Sequence, residues 1–467
     1  MSNKKIFILL PDGVGLRNFA FTDFYSKGKA TGMDLIFWNN TPFDLAKIGY
    51  KELRLKQNRS SLFLEVLKNA RKEIELNCNI RKSKDTVYDS YRFPFSYSTF
   101  KSSTKSYIIR FLIQLFDSER GLKIVRDLIK KTERKTNFYS ESYALLKEQK
   151  PALVFCTNQR ISLAIAPLLA AQDLKIPTAT FIFSWDNLPK GTMVVETDYY
   201  FVWSAHMKKE LLYYYPYIKE NQIVVTGTPQ FENHFQLNNI IDREIFFNQN
   251  GLDIKKKYIC YSGDDVTTSP YDPDYLLDLI KAVRKLNKKG KPLGIIFRRC
   301  PVDFSPRFNS VLEENQDIVV AIEPRWDKVG EGWNTILPTK EDSILQFNII
   351  AHTELVVNLG SSMVFDYVSH KKPCAYMNYN PEKKDPNWSV ERIYNYIHFR
   401  FIPDNAVVWL NSPNEIADKI EIMLSDGAQK VVENAQEWFE KINQHPAQEA
   451  SKRIWEAIDQ ICKKGLC

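Results

Sequence analysis

Three short polar segments in the second half of the chain combine residue types that suit a phosphate group. Each follows an apolar run typical of a buried strand, and they are Ser262-Gly263-Asp264-Asp265, Arg298-Arg299 and Gly360-Ser361-Ser362. Ligands of open α/β sheets bind beyond the carboxyl ends of the strands, so the three segments should meet at one edge. Free backbone N–H groups and hydroxyls ahead of a helix, with guanidinium groups nearby, would bind a diphosphate. The sequence therefore predicts a diphosphate pocket at this edge.

Each segment also has a simpler structural explanation. A serine pair ahead of a helix is often a plain N-cap. Two adjacent arginines frequently form ion pairs with other parts of a protein. The coincidence of three polar segments at successive strand ends is what favours ligand binding.

The carboxylates of this half do not form a typical metal motif. Asp272-Pro273-Asp274 has the Asp-x-Asp spacing of some metal sites, but a proline at the first helical position makes Asp272 the expected N-cap. The adjacent Asp264 and Asp265 would point to opposite sides of an extended chain. The seven cysteines are far apart and include no Cys-x-x-Cys pair, which favours free thiols. We therefore expect no required metal and no cofactor, only substrates.

Two successive α/β patterns must position these residues. In the first half, the strand-like apolar runs are 6–10, 33–38, 152–156, 178–183, 199–203 and 222–229. In the second half, they are 258–261, 293–297, 354–359 and 373–377. Helical segments alternate with these runs, which predicts parallel, doubly wound sheets.

The length of 467 residues exceeds what one hydrophobic core usually supports, so we expect two domains. A polar stretch from 233 to 257 separates the two patterns. We place an amino-terminal domain at 1–235, with a mainly helical insertion at about 60–149, and a carboxy-terminal domain at 236–440. The remaining helix, 441–467, is expected to pack back on the amino-terminal domain.

Longer runs in the second half match a known pattern, and they are Leu337-Pro338-Thr339-Lys340-Glu341-Asp342, Thr353 to Tyr367, and Lys371 to Cys374. They resemble the donor-binding half of GT-B glycosyltransferases, and are particularly similar to bacterial surface-polysaccharide and teichoic-acid-type transferases. Ser184 to Gly191 and Val225 to Pro229 resemble acceptor-half and hinge motifs of the same enzymes. Where teichoic-acid polymerases have Arg-Pro-His-Pro, this chain has Arg298-Arg299-Cys300-Pro301, which favours an ordinary sugar donor over glycerol phosphate.

The resemblance implies an α/β fold of two Rossmann-like domains that face each other, with the helical insertion in the first and helices at the end. It implies a glycosyltransferase that moves a sugar from a nucleotide-diphosphate sugar to a cell-surface polysaccharide or lipid-linked acceptor. The implied donor-binding residues are Ser262, Gly263, Asp265, Arg298, Arg299, Pro338, Gly360, Ser361, Ser362 and Asp366. The implied acceptor-side residues are Gly13, Gly15, Arg17, Trp185, Asn187 and Lys190.

An inverting transfer would need a general base to take the proton of the acceptor hydroxyl. The resemblance to GT-B enzymes implies that this base comes from the amino-terminal half. Asp12 is the first candidate, because Gly13 and Gly15 would let the backbone approach a substrate, and Asp186 is the second. Aspartate beside glycine or asparagine also commonly caps a turn. A reaction that retains the anomeric configuration would need no such base.

The net charge of +8, with a basic excess between Lys101 and Lys135, favours an acidic partner. The basic segment would suit an anionic membrane surface that presents a lipid-linked acceptor, although a solvated helix face is an equally good explanation. It lacks the motif of a nucleic-acid module, so we expect no nucleic acid. No run approaches the roughly 20 apolar residues of a membrane span, which favours the cytoplasm, with peripheral contact at the inner face of the membrane.

Two other functions fit parts of the pattern. An enzyme similar to UDP-N-acetylglucosamine 2-epimerase would share the fold and the Val225 to Pro229 motif. The helical insertion and the Ser184 to Gly191 motif argue against it. A non-catalytic nucleotide-sugar-binding protein is the third alternative.

Overall fold

The computed structural model of the chain describes residues 4–54, 61–329, 336–382 and 387–464. They form two compact units, each built around its own parallel sheet. The first unit contains Met1–Pro229 and Ile442–Cys467, and the second contains Gln230–Lys441. None of the helices in the described ranges is long and apolar enough to cross a membrane.

The sheet of the first unit has seven parallel strands. They are Lys5–Leu10 (β1), Asp34–Asn39 (β2), Glu52–Leu53 (β3), Leu153–Cys156 (β4), Thr178–Phe181 (β5), Tyr199–Val202 (β6) and Ile223–Val225 (β7). Their order across the sheet is β3-β2-β1-β4-β5-β6-β7, so the direction of winding reverses between β1 and β4. Both strands are almost wholly apolar because helices cover both faces of a parallel sheet.

The helices that begin in this part of the chain are Gly13–Gly15 (α1), Phe24–Ala30 (α2), Leu62–Ser83 (α3), Phe100–Phe116 (α4), Glu119–Glu133 (α5), Asn137–Gln149 (α6), Ile165–Asp173 (α7) and Ala205–Tyr214 (α8). Helices α3 to α6 occupy the segment in which the sequence predicts a helical insertion. Leu67 of α3 and Ile129 of α5 belong to the same buried cluster as Val154 of β4. The inserted helices are therefore part of the core of this unit.

The sheet of the second unit has six parallel strands. Two further short strands of this unit form a separate antiparallel pair. The strands are Lys257–Ser262 (β8), Leu293–Arg298 (β9), Val319–Ala321 (β10), the pair Asp327–Lys328 (β11) and Ile336–Leu337 (β12), then Thr353–Asn358 (β13), Cys374–Met377 (β14) and Val408–Leu410 (β15). The order β10-β9-β8-β13-β14-β15 repeats that of the first six strands of the other sheet. The reversal here falls between β8 and β13.

The helices of the second unit are Arg243–Gln249 (α9), Asp272–Lys288 (α10), Asn309–Glu314 (α11), Lys340–His352 (α12), Met363–Ser369 (α13), Val390–Tyr394 (α14), Ile416–Met423 (α15) and Gln429–Ile442 (α16). The chain then returns to the first unit with Ala450–Lys464 (α17). Trp455 of α17 is buried, and its indole Nε1 donates to the carbonyl oxygen of Phe24 at 2.7 Å. The two sheets confirm the predicted α/β class.

Candidate functional site

The carboxyl edge of the second sheet brings the three predicted polar segments together. Strand β8 pairs with β13 on one side and with β9 on the other. The last residue of β8, Ser262, stands beside Arg298 at the end of β9, and Gly360 to Ser362 follow β13. Because the strand order reverses between β8 and β13, this edge has the crevice position at which open α/β sheets bind ligands.

The backbone of the serine loop is held in place by its surroundings. Gly360 has a φ of +67°, and a Cβ atom there would lie 3.0 Å from the ring of Phe399, so glycine is required. The amide of Ser361 donates to Oδ1 of Asn358 at 2.9 Å, and its carbonyl oxygen accepts from the hydroxyl of Tyr376 at 2.7 Å. The loop therefore presents a defined set of groups at the edge.

The two serine side chains have different roles. Oγ of Ser361 accepts from the amide of Met363 at 3.4 Å, which is a weak capping bond at the start of α13. Ser362 occupies the N-cap position, but its side chain makes no capping hydrogen bond and is exposed. A plain N-cap thus accounts for Ser361 and not for Ser362, whose hydroxyl is available to a ligand.

The guanidinium group of Arg298 forms an ion pair within the protein. It is 5% exposed, and its Nη2 donates to both carboxylate oxygens of Asp342, at 3.0 and 2.8 Å. Asp342 also accepts from the amide of Arg325 and the indole of Trp326, both at 2.7 Å. Since Asp342 lies in the first turn of α12, the pair joins the end of β9 to the start of this helix. The structure thus shows the ion pair that was the alternative explanation for these arginines.

Arg299 is also bound to protein groups. Its Nη1 donates to the carbonyl oxygen of Ser305 at 2.6 Å, and its Nε lies 3.5 Å from the carboxylate of Glu323. Both arginines therefore have protein partners, although Nη1 of Arg298 is buried without a hydrogen-bond partner among the described residues.

The aspartates after β8 accept hydrogen bonds that stabilise the loop between β8 and α10. Asp265 accepts hydrogen bonds from the amides and hydroxyls of Thr267 and Thr268. Burial alone would raise the pKa of Asp265, but these hydrogen bonds bring it below the usual value. The carboxylate of Asp265 therefore stabilises the loop in which it lies.

Asp272 is wholly buried and accepts from the amide of Asp264 and from the hydroxyls of Ser269 and Tyr261, at 2.7 to 2.8 Å. Burial raises the pKa of Asp272 to about 6. The expected N-cap role is wrong, because Tyr271 precedes the helix and the Asp272 side chain instead ties the loop after β8 to α10. Gly263, in that loop, is buried, and Pro338 is buried just ahead of the Thr339 N-cap of α12.

Asp366 belongs to a chain of side chains that sequence reasoning missed. Its Oδ1 lies 2.8 Å from Nε2 of His234, and Nδ1 of His234 lies 3.2 Å from Nε2 of His370. Burial, and then the neighbouring His234, lower the pKa of His370 to about 3, so this imidazole is neutral. His234 is 132 residues from Asp366, and no local pattern signals the contact.

The carboxyl edge of the first sheet positions Asp12. Asp12 follows β1 and is buried, with Oδ2 accepting from Nδ2 of Asn158 at 2.7 Å and Oδ1 accepting from the amide of Gly15 at 3.3 Å. Burial raises the pKa of Asp12, although these hydrogen bonds and the charge of Arg160 act in the opposite direction. Asn158 and Arg160 directly follow β4, a position that could have identified them from the sequence.

The glycines after Asp12 are close-packed. A Cβ atom at Gly15 would lie 2.6 Å from Oγ1 of Thr157, so this glycine is needed for the approach of the segment after β4. Gly13 begins the short helix that Asp12 caps. Arg17 follows it, and its Nε donates to Oδ1 of Asn18 at 3.2 Å. The contact with Thr157 explains Gly15 without a substrate.

Asp186 lies after β5 and anchors the Ser184 to Gly191 motif. Its Oδ1 accepts from the hydroxyl of Ser184 at 2.5 Å and from Nδ2 of Asn187 at 3.1 Å, and its Oδ2 pairs with Lys190. Trp185 is buried beside it. Because β5 adjoins β4, this motif and Asp12 belong to the same edge of the sheet. Within the described ranges, no group of three or more His, Cys, Asp or Glu side chains could hold a metal ion.

No protein-family model matches the chain, and no curated protein matches it in sequence. Solved structures match over almost the whole length of both chains. A Listeria monocytogenes protein, provisionally assigned as a UDP-N-acetylglucosamine 2-epimerase, has 11% identity and a TM-score of 0.57, covering 99% of this chain and 98% of that one. Staphylococcus aureus MnaA with UDP has 13% identity and a TM-score of 0.54, covering 98% and 96%. A Rickettsia africae glycosyltransferase has 14% identity and a TM-score of 0.52, covering 99% and 100%.

At these identities, the likeness shows the fold and nothing finer. It confirms the resemblance to GT-B enzymes at that level, because the matched structures include a glycosyltransferase and align with almost the whole of this chain. The chain therefore shares its fold with these structures.

Proposed function

We propose that this protein is a glycosyltransferase that takes a sugar from a nucleotide-diphosphate donor bound at the carboxyl edge of the second sheet. The observation that carries the proposal is the serine loop after β13. Its backbone is held by Asn358 and Tyr376, and Ser362 offers a hydroxyl that does not cap the helix. A rigid turn of this kind at a strand-order reversal suits a pyrophosphate. The similarity to nucleotide-sugar enzymes supports the same ligand.

The residues that contact the nucleotide sugar are assigned from the hydrogen bonds that each already makes within the protein. We assign the diphosphate to the hydroxyls of Ser262, Ser361 and Ser362, because the side chains of Arg298 and Arg299 have protein partners. The amides of Ser361 and Met363 already donate within the loop. Arg298 contributes by holding Asp342 at the start of α12. In this assignment, hydrogen-bond donors of the protein, and not a metal ion, stabilise the charged phosphate oxygens.

The acceptor is proposed to be a glycan or a lipid-linked molecule at the inner face of a membrane. Helix α4 supports this, because five of its large apolar side chains are exposed by 43 to 90%, namely Phe100, Tyr107, Ile108, Phe111 and Leu115. At 100° per residue they share one face of the helix. Lys101, Lys105 and Arg110 flank that face, and α4 contains no acidic residue. An exposed apolar face with basic flanks is typical of a helix that lies in an anionic lipid surface.

Replacing Phe111 by glutamate should weaken binding to vesicles of phosphatidylcholine with phosphatidylglycerol by roughly tenfold or more, because an aromatic ring that would insert into the lipid is lost and a carboxylate that the anionic headgroups repel is gained. Co-sedimentation measures this effect. Ile422→Glu is the matched control, because Ile422 is 55% exposed on α15 of the other unit and should leave binding unchanged. Equal binding of wild type and Phe111→Glu would contradict the role of α4.

A 2-epimerase acting on a UDP-sugar is the second candidate. The matches to an epimerase-assigned structure and to the UDP-bound MnaA favour it, and the fold serves both reactions. The exposed face of α4 favours the transferase, since a soluble nucleotide sugar needs no membrane surface.

The test combines nucleotide binding with turnover. UDP, GDP, CDP, CMP and dTDP are first compared by thermal shift, because a nucleotide bound only by the folded state raises its stability. The nucleotide sugars of the best binder are then incubated with and without lipid-linked acceptors. Release of free nucleotide that depends on an acceptor supports the transferase. Interconversion of the donor sugar supports the epimerase, and binding without turnover would contradict both enzymes.

A further inference from the structure

A second cavity lies in the first unit, away from the edge that contains Asp12. Its volume is about 480 Å³, and its walls are formed by α3, α5, Glu196 and the segment 214–217. Glu196 precedes β6, so it lies near the amino end of that strand, whereas Asp12 follows the carboxyl end of β1. A volume of this size is in the range of about 300–1,000 Å³ that small-molecule sites occupy.

Two buried polar side chains point to a ligand in this cavity. Asn79 and Arg126 line it, and each is only 8% exposed. Nδ2 of Asn79 and Nε of Arg126 have no hydrogen-bond partner among the described residues. A buried N–H group without a partner is unfavourable, and native proteins satisfy nearly all of them. Both groups are donors, so the ligand should offer hydrogen-bond acceptors.

The charges of the wall argue against an anion. Four cationic side chains and four carboxylates line the cavity. Arg126 and Lys130 both pair with Glu196, and Lys123 pairs with Asp127 at 3.0 Å. Because these cations are neutralised within the wall, the cavity offers no net positive field for a phosphate or carboxylate.

Aromatic rings supply the apolar part of the wall. Tyr214, Tyr215 and Tyr217 line the cavity, and Tyr217 is 43% exposed, which places it at the opening. The guanidinium carbon of Arg126 lies 4.4 Å from the centre of the Tyr217 ring and holds the ring in place. Tyrosine combines an apolar face with a polar tip, and so do the faces and hydroxyl edges of a sugar ring.

We propose that this cavity binds a neutral saccharide unit. The charge-balanced wall, the unpartnered donors of Asn79 and Arg126, and the tyrosine rings together match a ligand with many hydroxyls, an apolar face and no charge. Such a site would hold a glycan chain on the first unit at a place separate from the proposed reaction. The proposal concerns binding alone and stands independently of sugar transfer.

The test uses saturation-transfer difference NMR on the full-length protein. The probes are glucose, galactose, mannose, N-acetylglucosamine, N-acetylgalactosamine and their disaccharides, with glucuronate and glucose 6-phosphate as anionic comparisons. Spectra are recorded first without UDP and then with saturating UDP, so that a sugar bound at a UDP site is recognised by its displacement. We expect at least one neutral sugar to bind, and its Kd to rise roughly tenfold or more in Tyr217→Ala and in Asn79→Leu.

The matched control is Tyr213→Ala. Tyr213 is also 43% exposed and is four residues from Tyr217, but it does not line the cavity, so its removal should leave the Kd unchanged. The proposal is overturned if none of the neutral sugars binds, if only the anionic sugars bind, or if binding is the same in Tyr217→Ala and Asn79→Leu as in the wild type. Displacement of the neutral sugar by UDP would also overturn it.

Discussion

Replacing Asp342 by asparagine is expected to lower the free energy of unfolding of the second unit by about 3–5 kcal/mol. The side chains of Arg298 and Asp342 are each 5% exposed, and Nη2 of Arg298 lies within 3.0 Å of both carboxylate oxygens. Asparagine keeps the size of the side chain but leaves the guanidinium cation buried without a counter-charge. Urea denaturation followed by tryptophan fluorescence measures the loss.

Two further variants separate a structural pair from a phosphate-binding arginine. Glu341→Gln removes a carboxylate from the adjacent, exposed position of α12 and should change stability by no more than about 0.5 kcal/mol. The double variant Arg298→Met/Asp342→Asn should recover part of the loss, because no charge is then left buried and the asparagine oxygen can still accept from Arg325 or Trp326. If Asp342→Asn kept full stability and lost nucleotide binding, Arg298 would be a ligand of the donor and the structural role would be wrong.

The sheets could be predicted from the sequence because their central strands are long, apolar and bounded by polar turns. The runs at 6–10 and 258–261, for example, lie within Lys5–Leu10 and Lys257–Ser262. The strands of the two parallel sheets that were missed, β3, β10 and β15, contain two or three residues and stand at sheet edges. An edge strand has one neighbour and needs no continuous apolar run, so periodicity does not reveal it.

The candidate site could be predicted only in part. The position of Gly360 to Ser362 after a buried strand was correct, because a strand, a loop and a helix are adjacent in sequence. The role of Arg298 depends on Asp342, which is 44 residues away, and that of Asp366 depends on His234. Such pairs depend on how elements that are far apart in the sequence pack together. Local residue patterns contain no signal for this packing. Sequence reasoning therefore located the edge but not the partners of its charged side chains.

Replacing Asp12 by asparagine is expected to lower the rate of sugar transfer by about 10²–10⁴-fold if Asp12 is the general base of the proposed reaction. Asparagine nearly preserves the shape of the side chain beside Asn158 and Gly15 but cannot take up a proton. Nucleotide binding, which the proposal assigns to the second unit, should be unchanged. Steady-state kinetics and a nucleotide thermal shift on the same sample measure the two effects.

The pH dependence provides an independent check on Asp12. A general base acts in its deprotonated form, so the rate is retained above its pKa and falls as the pH drops through it. Because burial raises the pKa of Asp12, the acid limb of kcat/KM should lie above the range of an ordinary aspartate, and Asp12→Asn should remove that limb from the residual activity.

Asp44→Asn is the control that shows whether the loss of a helix cap alone lowers the rate. Asp44 caps the 3-10 helix Leu45–Ile48 through the amide of Ala46, much as Asp12 caps α1, but it follows β2 rather than the reversal of strand order. Its loss should cost stability and leave turnover unchanged. A fully active Asp12→Asn together with an inactive Asp186→Asn would assign the base to Asp186. If both variants stayed active, neither carboxylate would take the proton, and a mechanism that retains the anomeric configuration would be favoured.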